Sequence, residues 1–68
     1  MDNKNLEESI TTYVYKRFGQ HINGNNIKYG NTMFTVEMLV GVSVSTCKLN
    51  PDKEISYVVD EMFDYLCT

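Results

Sequence analysis

The apolar positions of this chain change their period as the sequence runs. Leu6, Ile10, Tyr13, Val14 and Phe18 share one face at about 3.6 residues per turn and predict a helix over residues 5–18. Asn5 with Glu8 three residues on has capping-box spacing, and Asp2, Glu7 and Glu8 are accounted for by that helix start. Gly19 follows the last periodic residue, where a left-handed C-cap suits glycine, and Lys16 and Arg17 complement the dipole in the last turn. Residues 20–26 are rich in Asn and Gly, without periodicity, and predict a loop.

The period then shortens to two. Residues 27–29 and 32–40 predict strands joined by Gly30-Asn31, a tight hairpin signal, with Phe34, Val36, Met38 and Val40 facing the helices. Gly41 permits a second reversal into a third strand over residues 42–49, where Val42 and Val44 alternate with serines. Asn50 and Pro51 end it and open a final helix. There Ile55, Val58, Val59, Met62, Phe63 and Leu66 restore the 3.6-residue stripe. The expected architecture is α+β, in the order α-β-β-β-α, a three-stranded antiparallel sheet with two helices packed on one face. Its predicted core is Ile10, Val14, Phe18, Phe34, Val36, Val58, Met62 and Phe63.

At 68 residues the chain is expected to be one domain, close to the smallest size that buries its own core. Its 43% hydrophobic content, with five Tyr and three Phe, is that of a folded domain and not of a disordered tail. A net charge of −3 disfavours nonspecific nucleic-acid binding and points to partners with basic surfaces. The longest apolar run, Met38 to Val40, is far below the about 20 residues of a membrane helix, so no membrane is expected. Cys47 and Cys67 do not form a metal framework and nothing resembling a signal peptide precedes them. They are expected as reduced thiols in the cytoplasm.

Residues Phe34-Thr35-Val36-Glu37-Met38-Leu39-Val40-Gly41 look like the phenylalanine-led second strand and turn of the double-stranded RNA-binding domain. The predicted third strand and the helix from Asn50 continue that resemblance over about half of the chain. It implies the same α-β-β-β-α fold. Members of that family read A-form RNA through the first helix, a loop between the first two strands and a lysine-rich start of the last helix. Here the helix start is Asn50-Pro51-Asp52-Lys53-Glu54, one lysine between two acids, and the loop Tyr29-Gly30-Asn31-Thr32 is short and lacks the family's proline and histidine. Each missing base removes a phosphate contact, so RNA is not the expected partner; a divergent RNA-binding module would use Lys28, Lys48 and Lys53.

On the final helix, Tyr57, Asp60, Glu61 and Asp64 lie opposite the apolar stripe. Carboxylates near the negative end of the macrodipole are disfavoured, so stability does not account for them. They are the candidate partner-binding surface, with tyrosine as a rigid amphipathic anchor; the alternative is a solvated helix face. Met33 and Leu39, on the strand face away from the helices, are candidates for an apolar or homodimer interface. His21 is expected in a solvent-exposed loop and Cys47 on a half-buried strand. No phosphate loop, paired-carboxylate site or zinc spacing is present, and no cofactor, metal or enzymatic activity is expected. The expected function is a small interaction module binding a protein through its acidic final helix. It would be an accessory or inhibitory factor of viral, phage or mobile-element type; a structural homodimerisation unit is the further alternative.

Overall fold

The computed structural model describes residues 3–68, with Asn3 described by its backbone alone; Asp2 lies outside the described residues. The chain runs as a helix, three antiparallel strands in one sheet, then two helices, an α+β arrangement. Helix α1 is Asn3–Phe18, so Asn5 sits inside its first turn instead of capping it. A short 3₁₀ turn, Gly19–His21, follows without a left-handed glycine, because positive φ among the described residues occurs only at Gly24 and Gly30.

Strands β1 (Ile22–Asn23), β2 (Asn26–Tyr29) and β3 (Thr32–Thr35) form a meander in the order β1-β2-β3. Two two-residue turns, Gly24-Asn25 and Gly30-Asn31, set its register. In each, glycine takes the first central position with φ of 64° and 61°, and the following Asn keeps negative φ, the φ pattern of a II′ hairpin. Ile27 opposes Phe34, and both enter the core from the inner sheet face. Lys28 opposes Met33 on the outer face. Residues 20–26 were expected as loop; they hold the 3₁₀ turn, β1 and the first hairpin turn.

The main correction concerns residues 36–49. They form helix α2 (Val36–Leu49), so β3 stops at Thr35 and the expected strand over 42–49 does not form. The three-strand count is made up by β1. The alternation of valine and serine is real, but a second period is superposed on it. Val36, Leu39, Val40, Ser43 and Cys47 follow helical spacing, and these are the buried residues of α2. Burial of that stripe outweighs the β-propensity of the valines, which spans only about 1 kcal/mol. The helix start is also encoded locally: the Thr35 hydroxyl accepts from the Met38 amide at 3.1 Å and Glu37 lies in the first turn.

Three side-chain expectations fall with the strand. Leu39, expected on an exposed sheet face, is fully buried, and Met38, expected inward, is 51% exposed. Gly41 makes no reversal and lies in the helix, and Cys47 is buried on a helix instead of half-buried on a strand. Asn50 does not open the last helix. It caps α2, its amide reaching the Thr46 and Cys47 carbonyls at 3.0 and 3.3 Å and its side-chain amide donating to the Thr46 carbonyl at 3.0 Å. Helix α3 is Ile55–Cys67, after the turn 51–54.

The core gathers Ile10, Val14 and Phe18 from α1, Ile27 and Phe34 from the sheet, the α2 stripe, and Val58 and Val59 from α3. Of the expected core, Met62 and Phe63 are partly buried and pack against it. Phe63 stacks on Phe18 with centroids 4.0 Å apart and meets Phe34 and Tyr29 edge-on at 5.7 and 5.4 Å, joining α1, the sheet and α3. Ser43 is the one buried polar residue of the stripe, and its hydroxyl has no hydrogen-bond partner among the described residues.

Candidate functional site

Burial of Val58 and Val59, with Ile55, Met62, Phe63 and Leu66 packed beside them, fixes the rotation of α3 and turns Tyr57, Asp60, Glu61 and Asp64 outward. Tyr65, which the sequence reading passed over, joins them at 70% exposed. The four expected residues do share the open face of one helix, but their carboxylates do three different things.

Asp60 is tied to α1. It accepts a hydrogen bond from the Tyr13 phenol at 3.0 Å and lies 3.7 Å from Arg17 Nε. Burial, together with the bond to Asp60 and the charge of that carboxylate, raises the Tyr13 phenol above its ordinary pKa. Glu61 is tied to the turn before α3, 3.8 Å from Lys53 Nζ, and the same ammonium lies 5.4 Å from the Tyr57 ring centroid. Both ion pairs are half exposed, so they position side chains more than they stabilise the fold. Asp64 has no such tie: its carboxylate enters no hydrogen bond or ion pair among the described residues. Only its carbonyl is used, accepting from the Thr68 hydroxyl at 2.8 Å. No base occupies the last turn of α3 to compensate it.

Beside Asp60 and Asp64 lies an open hollow of about 410 Å³, walled by Phe18, Tyr29 and Phe63 and rimmed by Arg17, His21 and Cys67. His21 is half-buried, its ring edge-on to Tyr29 at 5.0 Å. The hollow therefore brings the only histidine and one thiol to the same place. Burial and the nearby Asp64 charge push the Cys67 thiol up, away from the thiolate, and burial does the same to Cys47. A nucleophilic cysteine needs the opposite environment. No three His, Cys, Asp or Glu side chains among the described residues gather closely enough to hold a metal ion. Among those residues no helix is long and apolar enough to cross a membrane.

The alternative residues are dispersed. Lys48 and Lys53 line one groove of about 640 Å³ with Leu6, Pro51 and Ile55, whereas Lys28 stands on the outer sheet face and does not line it. Met33 is exposed as expected, at 65%, but Leu39 is in the core, so the two do not form a shared apolar face. The residues that sequence reasoning missed are Tyr13 and Arg17. Their i, i+4 spacing on α1 was visible, but the acid they hold lies more than forty residues away. No family model matches this chain, and no curated protein or solved structure matches it.

Proposed function

We propose that this chain is a small protein-interaction module that docks α3 on a partner with a basic surface. The observation that carries the reading is Asp64. It is an exposed, uncompensated carboxylate at the negative end of a helix, beside the exposed Tyr65 and one turn from Asp60 and Glu61. Inside the fold it contributes nothing favourable; against a lysine or arginine of a partner it would contribute a charge-assisted bond, with Tyr57 and Tyr65 as low-entropy contact area. The small size and acidic balance favour an accessory or inhibitory factor, of viral, phage or mobile-element type, working in the cytoplasm. Against duplex RNA stand the separation of Lys28 from the other two lysines and the pairing of Lys53 with Glu61.

The three acids are not equivalent, and this decides the experiment. Asp60→Asn and Glu61→Gln disturb ties to α1 and to the turn, whereas Asp64→Asn with Tyr65→Ser leaves every described side-chain bond in place. A pull-down from host extract with the wild type should retain a protein that elutes with rising salt and is lost with the Asp64/Tyr65 double variant. Retention by that variant at equal melting temperature would refute the docking face. A titration with a 20-base-pair RNA duplex at physiological salt should give binding no tighter than about 10⁻⁴ M, the weak end of nonspecific affinity.

A further inference from the structure

Helix α2 has the composition of a buried helix, with Glu37 and Lys48 its only charges, yet one side of it is open. Met38, Val42, Ser45 and Leu49 follow i, i+4, i+7, i+11 spacing and so share one stripe. Met38 is half exposed and Leu49 is 81% exposed, while Val42 is partly covered. The stripe runs about 16 Å along the helix at 1.5 Å per residue. Gly41 borders it and has open space where a Cβ would stand. A glycine inside a helix is less favourable than alanine, and no described residue crowds the position to require it. A second helix approaching closely would.

We infer that this stripe is the interface of a homodimer in which α2 packs antiparallel on α2 of a second copy. The self-complementarity of the helix selects that occupant. A two-fold axis across the middle of the stripe sets Met38 against Leu49 of the other copy and Val42 against its Ser45. Glu37 and Lys48 lie on one flank, about 100° from the stripe centre at 100° per residue, at opposite ends of the helix. An antiparallel pair brings like flanks together with ends exchanged, so Glu37 of each copy meets Lys48 of the other. A parallel pair would put the two charged flanks on opposite sides of the seam, so that neither Glu37 met Lys48. Four side chains per copy make a contact at or below the low end of specific interfaces, about 1,200 Å² in total, so the dimer is a weak one that forms only as concentration rises. It is independent of the α3 reading, since the two surfaces lie on different helices.

Sedimentation equilibrium on the full chain between about 1 and 500 µM tests it. The wild type should pass from 7.9 kDa to twice that mass, and Leu49→Glu, at a residue too exposed to support the fold, should stay monomeric with unchanged circular dichroism. Glu37→Lys and Lys48→Glu each set like charges at both ends of the shared flank and should weaken association about ten-fold at low salt. An equimolar mixture of those two variants restores both opposite-charge pairs and should associate as the wild type does. A wild type monomeric to 500 µM, a Leu49→Glu variant that still dimerises, or a mixture no tighter than its components would overturn the proposal.

Discussion

Replacing Ser43 with alanine should make this protein more stable, although it removes a polar atom and adds nothing. The Ser43 hydroxyl is fully buried on the inner stripe of α2 and has no hydrogen-bond partner among the described residues. An unsatisfied buried hydroxyl costs about 1–3 kcal/mol, which alanine recovers, and alanine has the higher helix propensity by a few tenths of a kcal/mol. Opposing this, loss of the oxygen leaves a void of about 15 Å³, worth roughly 0.4 kcal/mol at about 24 cal/mol per Å³. The balance is a gain of about 1–3 kcal/mol. In a domain of this size that raises the melting temperature by roughly 4–8 °C for each kcal/mol gained. Urea unfolding followed by circular dichroism at 222 nm should show a higher midpoint with an unchanged slope, since the surface exposed on unfolding is nearly the same. A midpoint that falls or stays fixed would refute the reasoning and mean that the hydroxyl is satisfied in solution, by a water or by the Leu39 carbonyl one turn back.

Two further outcomes follow from the packing and the titrating groups. Phe63→Ala removes the ring that joins α1, the sheet and α3 and should cost about 3 kcal/mol, a large share of the roughly 3–10 kcal/mol expected for 68 residues; a loss below about 1 kcal/mol in chemical denaturation would mean the aromatic cluster contributes little. Cys47, Cys67 and Tyr13 all have raised folded-state pKa values, so the unfolded chain ionises first: their contribution is fully present below about pH 9, the ordinary thiol value, and is lost as pH rises through it and through about 10 for the phenol. Denaturation midpoints should therefore fall between pH 8 and 11, and Cys47→Ala should flatten the thiol part of that slope; a midpoint constant over this range would contradict the burial of these groups.

The elements legible in the sequence are those in which one period dominates. Helices α1 and α3 have apolar stripes of five or six residues with polar residues between, and Gly30-Asn31 announces its hairpin. Residues 36–49 have the pattern of strands because valines and serines alternate, yet Val36, Leu39, Val40 and Cys47 also lie at helical spacing, with a serine in the middle of the stripe. Two periods coexist there, and which one is buried is decided by α1 and α3, not by the segment itself. The same applies to the candidate site. That Tyr57, Asp60, Glu61 and Asp64 share one face follows from the spacing on α3, but that Arg17 and Tyr13 hold Asp60 while Asp64 stands alone depends on how α1 crosses it.

No spacer separates β3 from α2: Thr35 is the last strand residue and the helix cap, and the Val36 amide donates to the Asn25 carbonyl of the first hairpin turn at 2.8 Å. Strand register and helix phase are thereby geared together. One residue inserted at this joint would turn the helix by about 100°, carrying Leu39 and Val40 out of the core and Met38 and Val42 toward other surroundings. The turn 51–54 between α2 and α3 is exposed and joins no strand to a helix; its bonds, from the Lys53 amide to the Asn50 carbonyl and from Lys53 Nζ to Glu61, are local. Length variation should thus be tolerated in that turn and rejected at Thr35 and Val36, so a library of single-residue insertions would find the chain divided into a sheet-and-helix piece of fixed length and a last helix on an adjustable tether.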